Sequence, residues 1–104
     1  MIAIEFIENT AFSQSINLDG RSFIINMQYN NEYNVWHMSI YSSNEEPIVL
    51  NIALVAQTFL LKQYKDDRLP PGEFVVNAVL APDFDDFFNG NAQLVYITEE
   101  ELNS

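Results

Sequence analysis

Cysteine is absent from this 104-residue chain, which excludes a disulfide framework, a thiolate nucleophile and any thiolate metal site. Basic residues are scarce. Four Lys and Arg stand against 15 Asp and Glu for a net charge of −11, so phosphate backbones and anionic lipid headgroups are repelled. Histidine occurs once, at His37, with no cysteine to join it in a metal site or a nucleophilic pair. Only three glycines are present, and there is no glycine-rich phosphate loop, serine elbow or zinc-ligand spacing. No apolar run approaches the roughly 20 residues of a membrane span. Met1-Ile2-Ala3-Ile4-Glu5 places an acid where a secretory leader carries its basic region. These absences predict a soluble product made in the cytoplasm, with no catalytic residues, no metal, no cofactor, no membrane contact and no sequence-specific nucleic-acid binding.

What remains is apolar and aromatic. Hydrophobic residues make up 48% and aromatics 13%, far from the composition of a disordered chain, and the length suits one domain spanning 1–104. The acids are spread along the chain, with six in residues 1–52 and nine in 53–104, so neither half is an acidic tail.

Period-two alternation is the dominant pattern. Phe12, Ile16 and Leu18 alternate with Ser13, Ser15 and Asn17, and Asp19-Gly20 then supplies a tight turn. Phe23, Ile25, Met27 and Tyr29 share one face of the next run, which predicts a hairpin. After the turn-forming Asn30 to Asn34, Trp36, Met38 and Ile40 alternate with His37, Ser39 and Tyr41 as a third strand. Pro47 ends a second turn cluster, and Ile48 to Leu54 is a nearly continuous apolar run, expected as a short buried strand.

Residues 55–69 fit a helical face or a bulged strand equally. Pro70-Pro71-Gly72 interrupts regular structure, Glu73 to Leu80 resumes as a strand, and Gln93 to Thr98 forms the last one. Ala81 to Asn91 reads as a connecting loop or one helical turn, and residues 99–104 as an acidic, frayed end. Short strands at fairly regular intervals predict an all-β, mainly antiparallel sandwich or small barrel with at most one short helix.

Two segments stand out as contact candidates. Asp83, Asp85 and Asp86 offer hard oxygens to a cation, yet lack the central glycine and the distal glutamate of a calcium loop. The interleaved Phe84, Phe87 and Phe88 suit aromatic anchoring, into the chain's own core or into a partner. Sheet edges are the second possibility. Ile2, Ile4 and Phe6 alternate within residues 1–8 with no obvious hairpin partner, and Val95 and Ile97 lie in the final strand, so both segments are candidate assembly edges. Ile2, Ile4, Phe6, Phe84, Phe87, Phe88, Val95 and Ile97 together are the expected interface residues.

In order and spacing, several short strings resemble the phage baseplate plug family. They are Ile16-Asn17-Leu18-Asp19-Gly20, Phe23 to Asn30, Trp36 to Ile40, Pro47-Ile48-Val49, Leu60-Leu61, Leu69-Pro70-Pro71-Gly72, Asp83 to Asp86 and Leu94-Val95-Tyr96-Ile97. The resemblance covers residues 12–98. Two places depart from it: Asn51 to Gln57 lacks a glycine expected there, and Asn89-Gly90-Asn91 replaces a leucine-glycine pair. The resemblance implies a structural component of a contractile phage tail, a virion protein at the baseplate centre assembled in the host cytoplasm. It would link the hub and spike to the tail tube or its initiator proteins, as a homo-oligomer around the tail axis. Acidic subunits beside a DNA channel would repel passing phosphates.

A different class of function competes with it. A small acidic domain can imitate the charge of DNA and inhibit a host nucleic-acid enzyme, with binding that vanishes at high salt. A ligand-binding barrel would require a closed aromatic cavity, and an enzyme a cleft with converging carboxylates.

Overall fold

The computed structural model describes residues 1–64, 66–78 and 82–103. Among these residues seven strands form two antiparallel sheets. β2 (Ala11–Leu18), β3 (Arg21–Asn30), β4 (Val35–Ser42) and β5 (Pro47–Ala53) make a four-stranded meander in that order. β1 (Ile2–Ile4), β7 (Ala92–Ile97) and β6 (Glu73–Ala78) make a three-stranded sheet with β7 in the middle. The chain is therefore all-β and sandwich-like, as its alternating pattern predicts.

The hairpin between β2 and β3 turns on Asp19 and Gly20, both at positive φ (53° and 83°), the backbone that a two-residue turn needs to match strand twist. β3 and β4 then pair without interruption from Phe23↔Ser42 to Asn30↔Val35. Their inward residues, Phe23, Ile25, Met27, Trp36, Met38 and Ile40, are buried against Ile4, Phe74, Val76, Leu94 and Tyr96 of the smaller sheet, forming one continuous core.

β5 departs from a simple buried strand. Register shifts around Ile40 interrupt its pairing with β4, and Asn51 has φ 59°. Its amide donates to the hydroxyl of buried Ser39 (3.0 Å). The bulge lets Val49 and Ile52, three residues apart, both face the core, while Leu50 is 51% exposed. The continuous apolar run thus records a bulged edge strand with one side open.

Residues 55–64 and 66–69 hold neither a helix nor a paired strand of their own. The chain crosses here from one sheet to the other: Ala56 bridges Val76 in parallel, and Gln57 and Leu60 donate to the carbonyls of Val76 and Phe74. The buried Glu73 carboxylate then accepts from the amides of Leu61 (2.6 Å) and Phe74 (3.0 Å). Neither periodicity nor propensity reports a loop held by a carboxylate twelve residues away.

Two single-turn helices occur among the described residues where one at most was expected. α1 (Asp86–Asn89) follows the loop as a helical turn ended by Gly90 at φ 90°. α2 (Glu99–Leu102) forms in the acidic end because Thr98 and Glu101 build a reciprocal capping box. The N-terminal ammonium pairs with Glu101 (2.5 Å). That contact holds the Glu101 carboxyl at about 2, mainly through the ammonium hydrogen bond and then the Thr98 amide. Val79, Leu80, Ala81 and Ser104, included in the expected strand, loop and tail, lie outside the described residues.

Candidate interaction surfaces

One end of the sandwich is closed by aromatic rings. Phe6, leaving β1, stacks on Phe87 of α1 with centroids 4.2 Å apart and planes 11° off parallel. Phe84 stacks on fully buried Trp36 at 5.5 Å, and the Trp36 indole N–H donates to the Phe84 carbonyl at 3.4 Å. Phe12, Tyr29 and Phe88 meet the same cluster edge-on. Phe84, Phe87 and Phe88 therefore seat the loop in the chain's own core. Burial, reinforced by the charge of Asp83, holds the neighbouring Tyr29 phenol above its ordinary value.

The aspartates between these rings have local uses. The Asp86 carboxylate accepts from the Asp83 amide (2.7 Å), and the Asp85 carbonyl accepts from Phe88 and Asn89. Among the described residues no group of three potential ligands is placed to hold a metal ion. His37 lies half-buried beside a polar surface cleft with Gln28, Asn30, Glu32 and Asn51.

The two outer faces of the sandwich differ in chemistry. On the four-stranded sheet the outward positions carry mainly Ser13, Ser15, Asn17, Asn26, Gln28 and His37. On the three-stranded sheet, Ala3, Val95 and Val75 form a cross-strand row, with Ile97 above Val95. Met1 (69% exposed) and Phe59 (47% exposed) flank this row, and a shallow groove of about 380 Å³ runs along it, lined also by Gln57 and Asn77. Met1, Phe59, Val75, Val95 and Ile97 thus make an apolar strip on a chain of net charge −11. Val95 lies at the floor of the groove at 8% exposure, Val75 and Ile97 are half-buried, and Met1 and Phe59 are exposed, so the accessible apolar surface is gathered on one sheet face rather than scattered.

The expected interface residues fall in three places. Ile2 and Ile4 face the core from β1, and Phe6, Phe84, Phe87 and Phe88 form the aromatic end. Val95 and Ile97 lie on the outer apolar face. Residues 1–8 do have a partner within the chain, since Ile2, Ala3 and Ile4 pair with Tyr96, Val95 and Leu94. The last strand is not an edge, because β7 is flanked by β1 and β6. Removing residues 1–8 would strip a strand, the buried Ile4 and the Phe6 stack, so a folded remainder is not expected.

Met1, Phe59 and Val75 were missed as surface candidates. For Val75 a signal was present in Phe74-Val75-Val76, as in Leu94-Val95-Tyr96-Ile97, where both faces of a strand are apolar, whereas Met1 and Phe59 carried none. Such runs occur where both faces are covered, and here the chain itself covers the outer face only in part, burying Val95 and leaving Val75 and Ile97 half-buried.

The two departures from the plug-family pattern have structural counterparts. Asn51 (φ 59°) and Gln57 (φ 56°) take the left-handed backbone at either end of the segment that lacks the expected glycine. Gly90 supplies it after α1.

Residues 1–100 match the family model described as cyanophage baseplate Pam3 plug gp18, and the chain belongs to that family. No curated protein matches it.

Proposed function

Starting from membership of the baseplate plug family, we propose that this chain sits on the tail axis between the hub and spike and the first ring of the tail tube. The family places it in the phage baseplate as a structural component of the virion tail. The observation that supports the finer reading is the apolar strip of Met1, Phe59, Val75, Val95 and Ile97. A structural subunit with no substrate needs a surface that gains free energy from burial against a neighbour. This strip supplies one at roughly 25 cal/mol per Å² of apolar area covered.

In this reading several copies surround the axis, the strip packs against a hub or tube protein, and the remaining acidic surface keeps DNA from adhering in the channel. Phe84, Phe87 and Phe88 serve the assembly indirectly, by keeping the end of the sandwich rigid. The test is a double substitution, Phe59→Glu with Ile97→Glu, made in the phage. The isolated variant keeps its far-UV circular dichroism, and mass spectrometry of purified tails finds it missing. Incorporation at the wild-type level would exclude the strip as the docking face.

A further inference from the structure

Among the described residues the sandwich has four sheet edges, and three are blocked. The β6 edge is covered by residues 56–60 through the Gln57 and Leu60 amides. The β5 edge carries Pro47, a bulge and left-handed Asn51. β1 is only three residues long, and the next carbonyl, that of Glu5, accepts from the Gln14 side chain (3.0 Å).

β2 is different. It is eight residues long, pairs with β3 without a bulge, and its sequence AFSQSINL contains no proline and no charge. Natural edge strands are normally protected by one of those devices.

The register fixes which amides are available. Leu18↔Arg21 flank a two-residue turn and so form a hydrogen-bonded pair, as do Ile16, Gln14 and Phe12 in alternation. The N–H and C=O groups of Ser13, Ser15 and Asn17 therefore point away from β3, along the open edge. Their side chains are exposed and small, which leaves room for an approaching strand.

We propose that β2 is an assembly edge that accepts an extended segment of a different chain by strand addition, in which Lys or Arg flanks the paired residues. Backbone hydrogen bonds to Ser13, Ser15 and Asn17 would supply the pairing. The charge requirement comes from what lies at the two ends of the strand. Glu5 and Glu8 precede it, and Asp19 follows it and accepts from the Glu99 amide. A second copy paired antiparallel through β2 would bring Glu8 toward Asp19 and Glu99 of its mate. Arg21, a cation at that end, is held by the Leu69 carbonyl (2.7 Å) and the Phe23 ring and keeps its charge, but the acids Glu8, Asp19 and Glu99 outnumber it. Like charges thus oppose self-pairing, and basic flanks favour a foreign strand. The edge geometry stands by itself; locating the partner in the baseplate rests on the plug reading.

The test uses the full chain and two probes. One is a Thr-Val repeat peptide of eight residues with two lysines at each end, and the other is the same peptide ended by glutamates. Hydrogen exchange should slow at least tenfold at Ser13, Ser15 and Asn17 with the lysine peptide and not with the glutamate one. Ser15→Pro, which removes an outward donor and no bond to β3, should abolish the effect, and Ser15→Lys should do the same if the proline variant does not fold. In purified tails the same amides should be protected by the native partner. Equal exchange with and without the lysine peptide, or a β2-paired dimer of the isolated chain, would overturn the proposal. Absence of the chain from tails would instead overturn the plug reading and leave the peptide result to decide this one.

Discussion

Replacing Tyr96 by Phe removes one oxygen atom that ties the two sheets together. The Tyr96 hydroxyl accepts from the Gly72 amide (2.7 Å), just before β6, and donates to the Asp19 carboxylate (2.6 Å) in the β2–β3 turn. The ring is fully buried and packs against Phe74 at 5.0 Å, contacts that phenylalanine keeps. What changes is polar. A buried Gly72 N–H left without an acceptor costs about 1–3 kcal/mol, and a hydrogen bond to a charged group contributes about 1.5–3 kcal/mol. Asp19 keeps the Glu99 amide as a donor (3.1 Å) and is exposed to water, which offsets part of the second loss. The expected destabilisation is therefore about 2–4 kcal/mol. With an m-value of ~1.5 kcal/mol/M, the urea midpoint falls by roughly 1.3–2.7 M at unchanged m. A second arm uses pH. Burial first, and then the hydrogen bond to Asp19, raise the Tyr96 pKa above its ordinary 10.0. The neutral phenol is thus favoured in the folded chain. Its contribution is fully present below pH 10 and is lost as pH rises beyond it, so wild type and variant converge in alkaline solution. A midpoint shift equivalent to less than about 0.5 kcal/mol, or a gap independent of pH, would refute the role given to this hydroxyl.

Other predictions follow from the same contacts. Gly72→Ala should unfold or severely destabilise the chain, because a Cβ there would collide with the Ile97 carbonyl and the Tyr96 ring; thermal melting reads this directly. Glu73→Ala should cost about 1–3 kcal/mol by orphaning the Leu61 amide, and should raise proteolytic cleavage within residues 61–69 before the rest of the chain opens. Phe87→Ala should cost about 2 kcal/mol, less than the ~3–5 of a fully buried ring, because Phe87 is only half-buried; denaturant titration measures it. Glu101 should titrate near 2 by NMR. As its pKa is depressed by the N-terminal ammonium, its contribution is present above the ordinary 4.5 and is lost as pH falls toward 2, whereas an ordinary titration would contradict the contact.

Much of the larger sheet was legible because its physics is local. Phe23-Ile25-Met27 and Trp36-Met38-Ile40 alternate with polar neighbours, and Asp19-Gly20 specifies its own turn, so strand, face and register follow from adjacent residues. The smaller sheet was less legible because its order depends on contacts far apart in sequence. Nothing in Ile2-Ala3-Ile4 indicates a partner some 90 residues on, and so a paired strand looked like a free edge. The same limitation applied to residues 55–64 and 66–69, fixed by Glu73, Arg21 and the β6 edge rather than by any periodicity of their own. The aromatic loop left two uses open, core or partner; the ring stacks on Trp36 and Phe6 place it in the core. The apolar strip is assembled from Met1, Phe59 and residues of β6 and β7, which only the fold brings side by side.

On the proposed reading this plug-family chain occupies the baseplate axis and docks through the outer face of its three-stranded sheet. Cryo-electron microscopy of intact virion tails tests it most directly. The expected result is a ring of this chain between hub and tube, with Met1, Phe59 and Ile97 covered by a neighbouring subunit. Axial density without this chain, or a ring in which that face meets solvent, would contradict it.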